Sequence, residues 1–378
     1  MPPLNDGDNI ALSGEEKTEA LAKNYLRVHK ITADNGDEKY CQLIEQMTDI
    51  IKHEEHDEND VTLSSPKEIK TIIKGFKNGK SPGKDCIPNV ILKNLEIKSL
   101  VQITHIINIC LKMGYFPAAW KEAIILPIYK GGKKDKKEPT SYRPISLLPT
   151  MGKILEKVIL ARVKTEGKIE DILSENQYGF RTNRSTCKQL ARVVFDITNN
   201  FNQNISAAAL FLDVEKAFDT VWHDGLIYKL YENGIPLYLI KNIYSFLSDR
   251  YFKVKVGNEF STLKKIPAGV PQGSILGPVL FIIFNNDIPM NRNTKVALFA
   301  DDTCIYATSW LKRNALSYLK EHAAELAEYF EDNKTKINED KTEAIVFSHK
   351  LDACKKSRTV FSSDVPLKKK SQVLGSYT

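Results

Sequence analysis

The sequence predicts an α+β protein organised as two or three structural units. Length is the first reason: 378 residues can bury substantial cores. The second is that helical stretches with capping signals alternate with short β-rich segments along the chain. The third is composition, since 42% hydrophobic and 27% charged residues are ordinary for a globular protein.

Residues 1–60 read as an acidic, partly flexible lead-in, with 15 acidic against 6 basic residues. A helix is expected over Gly14 to Val28, with Ala20, Leu21 and Tyr25 as a narrow apolar stripe. From Asp34 to Asp60 the chain is too charged to pack well alone. His53 and His56, three apart, would suit a metal, but the charges around them favour a solvated tract. Order begins near Leu63. Ser64 or Ser65 before Pro66 and Glu68 marks a helix start, and the helix is expected to reach Lys77 and stop at Asn78-Gly79. After the turn cluster KSPGKDCIP, a second helix is expected from Asn89 to Met113, ended by Gly114. Ala123 to Tyr129 is a short strand, GGKKDKKE a hairpin tip, and TSYRPISLL the returning strand. Met151 to Val163 is expected to be helical, with Ile154, Leu155, Val158 and Ile159 on one face.

Beyond residue 60 there are 48 basic and 32 acidic residues, within a net charge of +7 for the whole chain. A basic body fits a polyanionic partner, although solubility alone would also explain a modest surplus. The six cysteines are scattered without a CxxC pair, which reads as reduced thiols. No apolar run approaches the ~20 residues needed to span a bilayer, so no membrane partner is expected. The N-terminus lacks the features of a signal peptide, so the expected location is intracellular, in nucleus and cytoplasm.

Two acidic sites carry the chemistry. In LFADDTCIYA (298–307), β-forming residues flank Ala-Asp-Asp, as in a tight hairpin with Asp301 and Asp302 at its tip. Adjacent carboxylates repel unless a cation lies between them, and hard oxygen ligands suit Mg²⁺. Taken alone, such a pair is more often a solvated turn. The second site is AAALFLDVEKAFDTVWH (207–223), where Asp213 ends an apolar strand and the chain is expected to turn into a helix. A lone Asp there is usually a helix cap. If that strand pairs beside the hairpin, three carboxylates converge and can hold two Mg²⁺ ions ~3.5–4 Å apart. Between them lies IPAGVPQGSILGPVLFIIFNNDIP (266–289), where amides beside Gly269 and Gly273 would approach a nucleotide and Gln272 would bond its sugar or base. Taken alone, that segment is better explained as a buried helix with a Gly/Pro-rich lead-in.

The order and wording of seven phrases resemble the reverse transcriptases of non-LTR retrotransposons, close to the jockey-type elements. They are SPGKDCIPN (81–89), YRPISLLPTMGKILEKVI (142–159), QYGFRTNRST (177–186), FLDVEKAFDTVWHDGL (211–226), GVPQGSILGPVLF (269–281), FADDT (299–303) and INEDKTEAIVF (337–347), together spanning roughly residues 63–348. The resemblance implies a right-hand polymerase fold with fingers and a ferredoxin-like palm. On that basis residues 61–205 are expected to hold the fingers and fingers-palm region and 206–348 the palm. Residues 349–378 are expected to form a basic linker running into the primer grip, with the thumb largely missing.

The same resemblance implies an RNA-directed DNA polymerase acting by two-metal nucleotidyl transfer onto a primer 3′-hydroxyl. Its cofactors would be two Mg²⁺, with Mn²⁺ as a substitute. Its partners would be an RNA template, a DNA primer or nicked genomic DNA, and deoxynucleoside triphosphates; in a parent element it would carry out target-primed reverse transcription. Asp213, Asp301 and Asp302 match the metal-binding carboxylates, with the Val214 carbonyl as a further ligand. Phe218 matches the aromatic gate that excludes a ribose 2′-hydroxyl. Arg143 matches the clamp on the triphosphate, with Lys130 a weaker candidate, while Gln272 and Gly273 fall at the nucleotide. Lys341 matches a proton donor to pyrophosphate, and Gln177, Phe180 and Arg181 fall on the template side. Lys84 and Cys86 depart from the residues relatives carry in the first phrase. The rival expectation is a truncated or domesticated copy that binds RNA without catalysis.

Overall fold

The computed structural model describes residues 1–347 apart from 8, 30–35 and 133, together with the backbone of strands Ser357–Thr359 and Asp364–Lys368. The chain divides into two compact units. Unit 1 comprises Met1–Ile31, Leu43–Ile172 and Phe218–Leu280; unit 2 comprises Thr32–Gln42, Leu173–Ala217 and Phe281–Thr378. The segments expected from sequence, 1–60, 61–205 and 206–348, are therefore each shared between both units.

Unit 1 is built on a five-stranded sheet. Glu122–Tyr129 pairs antiparallel with Tyr142–Leu147 and parallel with Arg250–Val256, which also takes Glu259–Phe260 and Lys264–Ile266. The expected hairpin is present, in register from Ile124↔Leu147 to Tyr129↔Tyr142. Helix Gly14–Val28 starts on a capping box between Ser13 and Glu16. It buries Ala20, Leu21 and Tyr25 in one core with Ala123, Ile125, Phe252 and Val254. Part of the supposed lead-in is thus structural, because its apolar stripe covers a sheet. Residues 38–53 also form a helix, correcting the expectation of a flexible approach; Cys41, Ile44, Thr48 and Ile51 recur every three or four residues and are all buried.

Two helix boundaries differ from expectation. The helix capped by Ser65 covers Pro66–Lys74 and stops at Gly75 rather than beyond Lys77. The stretch 89–113 splits into Asn89–Lys93 and Ile97–Met113. The break follows from Asn94, whose amide turns back to the Val90 carbonyl, and from Glu96, which is extended at φ −67° and ψ 160°. Gly114 ends the second helix in the left-handed conformation. Helix Thr150–Thr165 buries all four residues expected on its apolar face.

Unit 2 is a six-stranded sheet ordered Ser357–Thr359, Asp364–Lys368, Glu343–Phe347, Ser206–Leu212, Asp302–Ser309, Lys295–Phe299. Strand alternation sorts Ser206–Leu212 between two layers. Ala208, Leu210 and Leu212 face Ala315, Leu319, Ala323 and Leu326 of helix Lys312–Asp332. Ala207 and Ala209 face Val193 and Ile197 of helix Thr186–Asn202. Small alanines let both helices close on the strand, which is buried along nearly its whole length. Among the described residues no helix is long and apolar enough to cross a membrane.

Candidate active site

The acidic residues gather at one end of the unit 2 sheet. Strands Lys295–Phe299 and Asp302–Ser309 form a hairpin with Asp302 opposite Phe299, leaving Ala300 and Asp301 as its turn. Ala300 takes φ +58°, a left-handed value that a two-residue hairpin turn demands. Ser206–Leu212 pairs antiparallel with the second strand, Leu212 opposite Thr303. Asp213 is the next residue and so adjoins the hairpin tip. The chain then enters a turn rather than the expected helix, since Lys216 at φ +50° cannot continue one.

A second strap fixes this end. Val214 bridges Ile337, the Glu215 amide donates to the Lys336 carbonyl at 2.8 Å, and the Asn338 amide donates to the Asp213 carbonyl at 2.7 Å. The strap brings Lys341 over the site, its ammonium donating to Asp213 Oδ2 at 2.8 Å. The Val214 carbonyl has no partner among the described residues.

Asp302 has its pKa raised, first by desolvation and then by the charges of Asp301 and Asp213. Neighbouring carboxylates of this kind form a donor set suited to a hard divalent cation. Among the described residues no group of three or more His, Cys, Asp or Glu side chains is already drawn into coordination range. Asp213 instead holds a cationic side chain. The residues fit a metal by donor chemistry and charge, with Lys341 occupying one carboxylate.

The residues expected on the template side divide. Gln177 is buried at 3% exposure, and its Oε1 accepts from the amides of Gly179 at 2.7 Å and Ala300 at 3.1 Å. Its side chain braces the Ala300–Asp301 turn and is not presented to a template, a correction to its expected place. Gly179 is needed there, since a Cβ would lie 2.2 Å from the Ala300 nitrogen. Phe180 is half exposed beside that contact, with φ +56°. Arg181 donates to the Leu173 and Ser174 carbonyls at 3.2 and 2.8 Å.

A different set of expected residues meets in unit 1. The turn 269–273 is stitched to the segment after Phe218: the Val270 amide donates to the Phe218 carbonyl at 2.7 Å and the Gly269 amide to the Val221 carbonyl at 2.9 Å. His223 donates from Nε2 to the Gly269 carbonyl at 2.8 Å, and burial depresses its pKa, keeping it neutral. Gly269 is buried at φ +88°, where a Cβ would fall 2.4 Å from the Asp219 carbonyl oxygen. Its lost side chain thus serves the fold, whereas Gly273 is exposed. On the other side, the Ser146 amide donates to the Gln272 carbonyl at 3.2 Å, tying the turn to strand Tyr142–Leu147. Glu156, fully buried, accepts from the Ile275 and Leu276 amides at 2.6 and 3.1 Å and anchors the far end.

Arg143 stands on the same strand, paired with Ile128 through its backbone, and its exposed guanidinium has no hydrogen bond or ion pair among the described residues. Lys130 donates its ammonium to the Thr140 carbonyl at 2.7 Å, across the base of its own hairpin. Phe218 is half-buried in the turn. Sequence reasoning missed Asp219, 5% exposed, whose carboxylate accepts from Gln272 Nε2. Its only signal was an acidic residue directly after the aromatic. The histidine pair expected to be solvated is separated: His53 bonds the Asp49 carbonyl and His56 the Lys112 carbonyl. The start of the primer-grip phrase lies outside the described residues.

Unit 2 thus carries an antiparallel sheet that ends in neighbouring carboxylates, and unit 1 a glycine turn docked on an arginine-bearing strand. Residues 133–375 match the family model for reverse transcriptase (RNA-dependent DNA polymerase), and the chain belongs to that family. It is 35% identical over 348 residues to the RNA-directed DNA polymerase from mobile element jockey of Drosophila melanogaster, covering 90% of this chain and 37% of that protein. It is 34% identical to the probable RNA-directed DNA polymerase from transposon X-element of the same species, over 82% of this chain and 34% of the relative. For the probable polymerase from transposon BS the values are 37%, 73% and 31%. The chain spans about a third of the length of these curated relatives.

Proposed function

We propose that this chain is the polymerase core of a non-LTR retrotransposon reverse transcriptase, adding deoxynucleotides to a DNA primer 3′-hydroxyl against an RNA template. The observation that carries the reading is the strand register that sets Asp213 beside Asp301 and Asp302 in a member of the reverse transcriptase family. A right-hand polymerase fold belongs to the proposal, with fingers in 61–205 and a ferredoxin-like palm in 206–348. The antiparallel strands that end in carboxylates support the palm reading.

Asp213, Asp301, Asp302 and the Val214 carbonyl would hold two Mg²⁺, with Mn²⁺ as a substitute. When bound, the ions supply an activated primer hydroxyl and neutralise charge on the leaving pyrophosphate. Lys341 would give up Asp213 to a bound metal, and its ammonium would be available to give a proton to pyrophosphate. Arg143 offers an unpaired planar guanidinium suited to a triphosphate. Lys130, committed to the Thr140 carbonyl, is the weaker partner for it. Phe218 would crowd a 2′-hydroxyl, Gln272 and Gly273 would meet the sugar side of the nucleotide, and Phe180 and Arg181 would face the template. The intact carboxylate set weighs against a copy that binds RNA without turnover. In a parent element the primer would be nicked genomic DNA, with the protein working in nucleus and cytoplasm.

The test is primer extension on poly(rA)/oligo(dT) with dTTP and Mg²⁺, beside Asp301→Asn. Extension by the native chain, lost in the variant, is the expected outcome. Extension retained by the variant would remove the metal assignment.

A further inference from the structure

Gln272 has a fixed polarity that its neighbours impose. One atom, Nε2, lies 2.8 Å from Asp219 Oδ1 and 2.9 Å from Oδ2. Only a nitrogen donor suits both oxygens of a carboxylate, so the amide cannot be reversed without setting oxygen against oxygen. Asp219 is itself held in place: it is 5% exposed, and its carbonyl lies 3.3 Å from His29 Nδ1. The cavity that His29, Asp219 and Gln272 help to line is small, about 10 Å³. That is room for one water at most, and the two contacts to the carboxylate are what hold the amide. Gln272 Oε1 is therefore left as an outward acceptor, and it has no partner among the described residues.

We propose that Asp219 is a positioning residue: by fixing Gln272 Nε2 it presents Gln272 Oε1 as an acceptor for the 3′-hydroxyl of the incoming nucleotide. The inference rests on the polymerase reading above. A sugar hydroxyl is the donor chosen because Asp219 follows Phe218 directly, and the Gln272 turn is bonded to the Phe218 backbone. A residue tied to the sugar gate reaches the sugar. The device selects nucleotides able to donate at the 3′ position, and thus those that leave an extendable end.

The experiment compares kcat/KM for dTTP and ddTTP in single-nucleotide extension. Asp219→Asn lets the Gln272 amide reverse, and the preference for dTTP should fall roughly 10-fold, the scale of one hydrogen bond. Gln272→Glu should lose the preference too, because it sets a second carboxylate against that of Asp219. The swapped pair, Asp219→Asn with Gln272→Glu, rebuilds a donor–acceptor contact with its direction reversed and leaves one oxygen outward, so it should regain the preference. That regain also decides the matter if Asp219→Asn alone folds poorly. Equal losses on both nucleotides, or no regain in the swap, would overturn the positioning role while native extension left the polymerase reading standing. Absence of extension by the native chain would strike both.

Discussion

The two clusters of functional side chains are held by opposite means. The carboxylates of unit 2 are fixed by strand register, with Asp213 following the Leu212↔Thr303 pair and Asp302 paired with Phe299. The residues of unit 1 proposed to meet a nucleotide sit mostly on turns, and a few hydrogen bonds from Val270, Gly269, Ser146 and Gln272 tie those turns together. Charges that repel need a rigid frame, because any slack would let them part. A site that must accept and release a substrate needs orientation more than rigidity. Removing a charge should therefore abolish chemistry without unfolding the protein, whereas changes among the turns should alter which nucleotide is used.

The largest effect expected is at the hairpin tip. Asp301→Asn should lower kcat/KM for extension by roughly 10³-fold or more, the scale of losing charge stabilisation at a metal site. The thermal unfolding temperature should hold or rise, because Asp301 is one of the charges that raise the Asp302 pKa. A variant that loses activity by unfolding would contradict the rigid-frame account. Next comes Phe218→Val in unit 1. Opening space beside the sugar should shift the preference for dTTP over UTP by roughly 10- to 200-fold, the range that side-chain volume gives a binding pocket. The dTTP rate itself should change far less. An unchanged preference would take the gate assignment away from Phe218.

The same contrast explains what could be read from the sequence. The hairpin at Ala-Asp-Asp, the strand leading to Asp213 and the helix Gly14–Val28 all follow from local pattern, and the structure has them where expected. Residues of period two or 3.6 declare their own element. Contacts between distant turns declare nothing locally. Gln177 looked like a template residue, yet it is buried under Ala300, 123 positions away. Asp219 lies 53 positions from the Gln272 amide it holds. The acidic stretch near residue 45 misled for another reason. Its mean charge concealed the spacing of Cys41, Ile44, Thr48 and Ile51, which is enough to bury one helix face.

Gln177 offers a way to loosen the rigid frame without touching a charge. Gln177→Leu would strip the acceptor from two amide donors, at Gly179 and Ala300, in a buried turn. An unsatisfied buried donor costs about 1–3 kcal/mol, which should appear as a lower midpoint in urea unfolding. Because Ala300 precedes Asp301, extension should fall as well, by roughly 10-fold or more on the same scale. Loss of stability with full activity would mean that the turn keeps its shape without the brace.

The smallest effect expected is the most discriminating for the metal site. Lys341 pairs with Asp213 at 2.8 Å, with its side chain 63% exposed. A screened pair of this kind is worth up to ~1 kcal/mol, which corresponds to no more than about fivefold in an equilibrium constant. Lys341→Met should therefore lower the Mg²⁺ concentration for half-maximal extension by up to about fivefold, since the cation no longer has to displace an ammonium. At saturating Mg²⁺ the same variant should turn over more slowly, on the proposal that Lys341 gives a proton to pyrophosphate. The two quantities move in opposite senses only if Lys341 both shields Asp213 before the metal binds and serves the leaving group afterwards. An unchanged Mg²⁺ requirement would show that the ion pair does not compete with the metal, leaving Lys341 with the second task alone.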